Sequence, residues 1–245
     1  MQSMRIVERI KEKAQNGGKD CKPIVLGFLG DSVTQGCFEL YRTGESSFDT
    51  RFRSYEAYHQ KLKRMLEEMY PGVPFNIINA GISGDNAPGG KARVRRDIIA
   101  YQPDLVVVCF GLNDAGQGKA NVKQYTEALA GIFEELRAAD IETIFMTPNM
   151  GAYKETYDIE DPFIRNLVNR MLYIQRDGVL EHYLNAARKV CRDFGVPVCD
   201  CYKKWKILED NGVDIHRLLC NRINHPSEEM HWLFAVSLFE MIMGI

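Results

Sequence analysis

The chain is 245 residues long, 45% hydrophobic and 26% charged, with a formal net charge of −2. These ordinary globular values provide for a sizeable core and one large α/β domain, and they exclude a low-complexity chain. The near-neutral charge removes any electrostatic reason to expect nucleic acid or an anionic membrane surface as a partner.

In chain order, Ile6, Val7 and Ile10 form a helical stripe that Asn16-Gly17-Gly18 ends. Ile24 to Leu29 is an apolar run that reads as a buried parallel strand, and it exits into Gly30-Asp31-Ser32-Val33-Thr34-Gln35-Gly36. Cys37 to Arg53 is polar and rich in Gly, Ser and Thr, and reads as a long excursion. Tyr55, Tyr58, Leu62, Met65, Leu66 and Met69 recur at helical spacing until Pro71-Gly72. Phe75 to Asn79 is a second strand, followed by a glycine-rich turn from Gly81 to Gly90. Leu105 to Phe110 is a third strand. Val122, Tyr125, Leu129, Phe133 and Leu136 make an amphipathic helix, and Ile141 to Met146 a fourth strand. A long segment from Pro148 to Arg176 precedes a helix bearing Val179, Leu180, Tyr183, Leu184, Ala187 and Cys191, which Gly195 closes. Val196 to Cys199 is a fifth strand, and the last helix begins after Pro226 with Ser227 as its N-cap.

Strands alternating with helices imply βαβ units and a parallel sheet covered on both faces. The expected organisation is one domain over residues 1–245, with insertions near 37–53 and 149–176. Both insertions leave the carboxyl ends of strands, where open α/β sheets bind ligands, so both should overhang the active face. The basic runs Arg93-Val94-Arg95-Arg96 and Lys203-Lys204 read as solvated helix faces.

The seven cysteines (21, 37, 109, 191, 199, 201 and 220) are odd in number and irregularly spaced, so buried, reduced thiols are expected. Cys199 and Cys201 share a strand face in this reading. Cys199-Asp200-Cys201 lacks a second Cys/His pair at zinc-like spacing, so no metal is expected. Met1 to Lys19 is amphipathic and charged, without an apolar signal-peptide core, and the apolar stretch Trp232 to Ile245 is too short to span a bilayer. The expected location is cytoplasmic, with secretion left open.

Ser32 reads equally as a helix N-cap or as a nucleophile at a strand exit. Three further segments fall at the same sheet edge: Asn79-Ala80-Gly81-Ile82-Ser83-Gly84-Asp85, Gly111-Leu112-Asn113-Asp114 and Asn224-His225-Pro226. A nucleophilic serine needs a base, and histidine titrates near working pH. A tetrahedral acyl-transfer intermediate needs donors for its oxyanion. Ser32, His225, the Gly84 backbone and the Asn113 amide can fill those roles.

These four blocks, in this order from Gly30 to Pro226, resemble those of the SGNH (GDSL) hydrolase family. The resemblance implies a flavodoxin-like three-layer α/β/α fold with a parallel sheet of about five strands. It also implies a serine esterase mechanism without metal or cofactor. By carry-over, Ser32 is the nucleophile, His225 the base, and Ser32 N–H, Gly84 N–H and the Asn113 amide the oxyanion hole. The family's usual aspartate, three residues before the histidine, is Arg222 here, and arginine cannot accept the imidazole N–H. Asn221, ranked first, Asp214 or a backbone carbonyl would orient His225 instead, or Ser32 and His225 would work as a dyad. Arg222 would point outward to bind an acidic substrate group.

Other polar residues have plainer readings. Asp31, Asp85 and Asp114 are expected to hold turns, His59 and His182 to be surface or satisfied histidines, and His231 to be structural. His216 is a reserve base. Phe38, Tyr41, Phe48, Phe52 and Tyr55 are read as packing rather than as a sugar platform. The expected activity is hydrolysis of a short acyl ester of a sugar or another polar alcohol. A lysophospholipase or thioesterase is the alternative, and a non-catalytic carbohydrate-binding protein the alternative from another class. Oligomeric state is left open.

Overall fold

A computed structural model describes residues 4–16, 22–45, 47–155 and 161–245. Gly17, Gly18 and Cys21, and residues 156–160 of the second insertion, lie outside the described residues. The N-terminal helix α1 (Arg5–Gln15) leads to β1 (Ile24–Gly30), a single helical turn α2 (Ser32–Gln35), the strands β2 (Cys37–Arg42) and β3 (Phe48–Phe52), and α3 (Tyr58–Met69). Then follow β4 (Phe75–Gly81), α4 (Ala87–Asp97), β5 (Leu105–Cys109), the turn α5 (Leu112–Ala115), α6 (Val122–Ala138) and β6 (Glu142–Met146). The chain closes with α7 (Pro162–Arg176), α8 (Val179–Phe194), β7 (Val198–Cys199), α9 (Cys201–Asp210) and α10 (His231–Met243).

Five strands form one parallel sheet in the order β4-β1-β5-β6-β7. The strand period of two divides its side chains between two cores. From β5, Val106 and Val108 face the α4, α6 and α8 layer, whereas Leu105, Val107 and Cys109 face α1, α3 and α10. This double burial explains why the central strands β1 and β5 are continuous apolar runs, whereas the edge strand β4 keeps Asn76 and Asn79 exposed. Each fully buried large side chain, such as Phe28 or Val107, contributes about 1.5–3 kcal/mol. The architecture is the three-layer α/β/α fold that the sequence leads one to expect. Strands are added on one side of β1 by β4 and then on the other by β5, so the carboxyl end of β1 is the topological switch point where such sheets bind ligands.

Several local expectations are corrected. The 37–53 excursion is an antiparallel β2–β3 hairpin, hidden because a two-stranded ribbon off the main sheet needs no apolar run. The glycine-rich turn ends at Asn86, whose side chain accepts the Gly89 N–H at 3.0 Å and starts α4. Gly90 lies inside that helix because a Cβ there would sit 2.5 Å from the Phe110 ring, so a close approach, not a turn, demands glycine. Residues 162–176 of the second insertion form α7. Cys201 opens α9 rather than extending the strand, with its sulfur 3.8 Å from that of Cys199. The last helix starts at His231, and the Ser227 carbonyl, not its hydroxyl, accepts the Met230 and His231 N–H groups. Arg93 is buried, not solvated. No helix among the described residues is long and apolar enough to cross a membrane.

Candidate active site

The turn after β1 is fixed by Asp31, whose carboxylate accepts the Val33 N–H at 3.0 Å and caps the single turn α2. The cap role considered for Ser32 therefore belongs to Asp31, and the Ser32 hydroxyl is released for another partner. That partner is His225: its Nε2 lies 3.0 Å from Ser32 Oγ, and both side chains are buried. The other imidazole nitrogen, Nδ1, lies 2.8 Å from the carbonyl of Phe38 on β2. A carbonyl can only accept, so Nδ1 carries the proton and Nε2 is left as the acceptor facing the serine. Burial lowers the His225 pKa below the ordinary 6.5, opposed by the Phe38 contact, which keeps the imidazole neutral and basic at pH 7.

Asn221, expected to accept the imidazole N–H, does not. Its Oδ1 accepts three backbone N–H groups, those of Ile223, Asn224 and His225, each at 2.9 Å. A side chain four residues back along a tight turn reaches the backbone of the histidine and not its ring, so Asn221 builds the loop that carries His225. Arg222 is also corrected. It sits at φ 59°, donates from Nη1 to the His216 carbonyl at 3.1 Å, and is absent from the cleft lining. His216 is not a reserve base, because Nε2 accepts the Tyr153 and Lys154 N–H groups at 3.1 and 3.0 Å, and Nδ1 faces Asp214 at 3.2 Å. Of the two readings given for His59, the structure takes the second: it is buried, with its Nε2 3.1 Å from the Thr34 carbonyl.

Gly84 follows β4 in a left-handed conformation, φ 77°. Asn113 follows β5, and its Nδ2 donates to the Asp85 carbonyl at 2.8 Å, which aims the amide. Ser32, Gly84, Asn113 and His225 all line one open cleft of about 420 Å³. Leu40 and Phe48 of the β2–β3 hairpin line it from one side, and Leu167, Met171 and Ile174 of α7 from another. Residues of both segments thus line the cleft at the strand ends. Of the aromatics weighed as a platform, Phe48 lines the cleft, while Tyr41, Phe52 and Tyr55 are exposed elsewhere.

Three supporting residues carry no sequence signal of their own. Arg93 donates to the carbonyls of Ala80 at 2.7 Å and Gly30 at 3.0 Å, and pairs with Asp85 at 2.7 Å. It thereby ties together the strand ends that precede Gly84 and Ser32. Gln35 Oε1 accepts the Ser83 N–H at 2.6 Å, docking the glycine loop on the serine turn. Phe38 packs against His231 at 4.9 Å between ring centroids and under Arg53 at 4.7 Å, so the carbonyl facing His225 is held on a fixed strand. Asp114 Oδ1 accepts the Ala87 N–H at 3.0 Å, and burial pushes its carboxyl, like that of Asp31, up to about 7.

A family model of GDSL-like lipases and acylhydrolases matches residues 28–233. The chain belongs to the GDSL-like lipase/acylhydrolase family. The blocks that define the resemblance are those gathered at this cleft. A curated relative, an acetylxylan esterase of Geobacillus stearothermophilus, is 38% identical over 89 residues, 36% of this chain and 39% of that protein. Esterase TesA of Pseudomonas aeruginosa is 33% identical over 93 residues, 36% of this chain and 44% of that protein. The matched stretches thus span less than half the length of either relative. The crystal structure of Axe2, an acetylxylan esterase from Geobacillus stearothermophilus, superposes with a TM-score of 0.66 at 23% identity, covering 89% of this chain and 93% of that one. At that identity the superposition establishes the GDSL-family fold.

Proposed function

We propose that the protein is a serine esterase that cleaves a short acyl group from a carbohydrate or another polar alcohol. The observation that carries this reading is the Ser32–His225 contact of 3.0 Å in a cleft that Gly84 and Asn113 also line. In this mechanism Ser32 Oγ attacks the ester carbonyl while His225 Nε2 takes its proton. The Ser32 and Gly84 N–H groups and the Asn113 amide receive the oxyanion. Collapse expels the alcohol, which takes the proton from His225, and water activated by the same imidazole releases the acid. The Phe38 carbonyl holds the ring in the useful tautomer where the family uses an aspartate.

The amides of Asn86, Gln117, Asn221 and Asn224 interrupt the apolar lining, which suits a polar alcohol better than a long acyl chain. The likeness to acetylxylan esterases points the same way. Action through one domain over residues 1–245 and a cytoplasmic location are parts of this proposal. Turnover of p-nitrophenyl acetate by the wild type and its loss in Ser32→Ala test the mechanism. Equal rates for the two proteins would end it. Rates that rise from acetyl to long-chain esters would favour the lipid acylhydrolase instead.

A further inference from the structure

The cleft holds one charged side chain that the esterase mechanism leaves without a task. Arg170 of α7 lines it with Asn86, Gln117 and Asn224. Its Nη2 lies 3.5 Å from the place where a Cβ on Gly116 would stand, so the guanidinium rests over the end of α5, close in sequence to Asn113. Other arginines near the cleft are committed. Arg42 pairs with Asp161, Arg53 with Glu39 and Glu228, and Arg176 and Arg222 donate to the carbonyls of Tyr153 and His216. Among the described residues, Arg170 has no such ion pair, and no carboxylate lines the cleft with it. A guanidinium presents a planar fork of donors that matches the paired oxygens of a carboxylate or a phosphate.

We propose that the cleft selects esters whose alcohol part carries an oxyanion, a carboxylate or a phosphate, and that Arg170 pairs with it. This rests on the esterase reading, in which the short acyl group occupies the Ser32–Asn113 end and leaves the rest of the cleft to the alcohol. Asn86, Gln117 and Asn224 complete that part with amide donors and acceptors for the hydroxyls of a sugar. The cationic role first assigned to Arg222, on the loop that carries His225, moves to a residue on the second insertion.

The test compares acetyl esters of glucose, glucuronic acid and glucose phosphate with the wild type, Arg170→Lys, Arg170→Gln and Arg170→Glu. The wild type is expected to prefer at least one anionic ester by about tenfold or more in kcat/KM, mainly through KM. That preference should survive in Arg170→Lys, fall toward one in Arg170→Gln and invert in Arg170→Glu, and it should weaken as salt is added. The carboxylate and phosphate arms show which oxyanion fits. Equal use of neutral and anionic esters by the wild type, or a preference unchanged in Arg170→Gln and Arg170→Glu, overturns the proposal. Calorimetric binding of the same three esters to Ser32→Ala reads the charge preference whether or not turnover occurs. Anion preference in binding without turnover by the wild type would sink the esterase reading and leave the anion site standing, whereas turnover without charge preference does the reverse.

Discussion

At the scale of residues, the loss of the family's aspartate is met by two separate devices. The Phe38 carbonyl sets the imidazole tautomer, and Asn221 sets the backbone that carries the ring. Asn221→Ala would strand the buried N–H donors of Ile223 and His225 and the half-buried one of Asn224, a buried donor costing about 1–3 kcal/mol when unmade, so its melting temperature should fall steeply. Asn221→Asp keeps the acceptor, and thermal melts should place it close to the wild type. A gain of activity in Asn221→Asp would show that position 221 faces the ring after all. The pH profile follows from the same geometry. Burial lowers the His225 pKa with no carboxylate to raise it, so the base is active above its folded-state pKa and lost as pH falls through it. The acid limb of kcat/KM should therefore lie below pH 6.5. A limb at or above that value would require an anion against the ring. Ser32, Gly84 and Asn113 at strand ends, and His225 on the loop before α10, were legible because the proposed mechanism asks for each of them. The Phe38 carbonyl was not, since a backbone carbonyl is present in every residue and only the fold selects one.

At the scale of elements, the site is the meeting of three adjacent strand ends with one returning loop. Arg93 holds two of those ends together from α4. Arg93→Met should destabilise the protein by about 3–5 kcal/mol, because it leaves the half-buried Asp85 carboxylate without its partner. Arg93→Lys retains the charge but not the fork. It should fold and lose about tenfold or more in kcat with KM nearly unchanged, since small displacements of the serine and glycine loops misalign attack. A loss confined to KM, measured by steady-state kinetics, would contradict a positioning role. The central strands β1 and β5 were readable from apolar runs because both of their faces are buried. The elements that escaped lack that signal. The β2–β3 hairpin is polar, α4 begins amid glycines of which Gly90 makes room for Phe110 and Gly89 for Asp85, and α7 lies within a segment whose neighbours signal no sheet. Arg93 was misread for the same reason: a basic run gives no hint which of its members turns inward.

At the scale of the whole molecule, the α3–α10 side of the sheet buries histidines as neutral structural groups. His59 is driven down to about 4 and His231 well below 6.5, both by burial. Each pKa is lower folded than unfolded, so each contributes stability that is present above pH 6.5 and lost as pH falls toward the folded-state value. Asp31 and Asp114, pushed up to about 7, act in the opposite sense, favouring the fold below pH 3.8 and losing that advantage as pH rises toward 7. The overall profile is a partial cancellation, and a difference measurement isolates one group. Relative to His59→Gln, the wild type should lose on the order of 3 kcal/mol between pH 6.5 and 4 in urea unfolding. A difference that stays constant across that range would mean that His59 is not held neutral.

The central claim is that Ser32 is the nucleophile of the cleft. The most direct measurement is reaction with a fluorophosphonate ester, followed by peptide mapping and by p-nitrophenyl acetate hydrolysis on the same samples. The account predicts one phosphonyl group per chain, on Ser32, with hydrolysis falling in step with labelling. A label on another residue, or hydrolysis that survives complete labelling of Ser32, would contradict it.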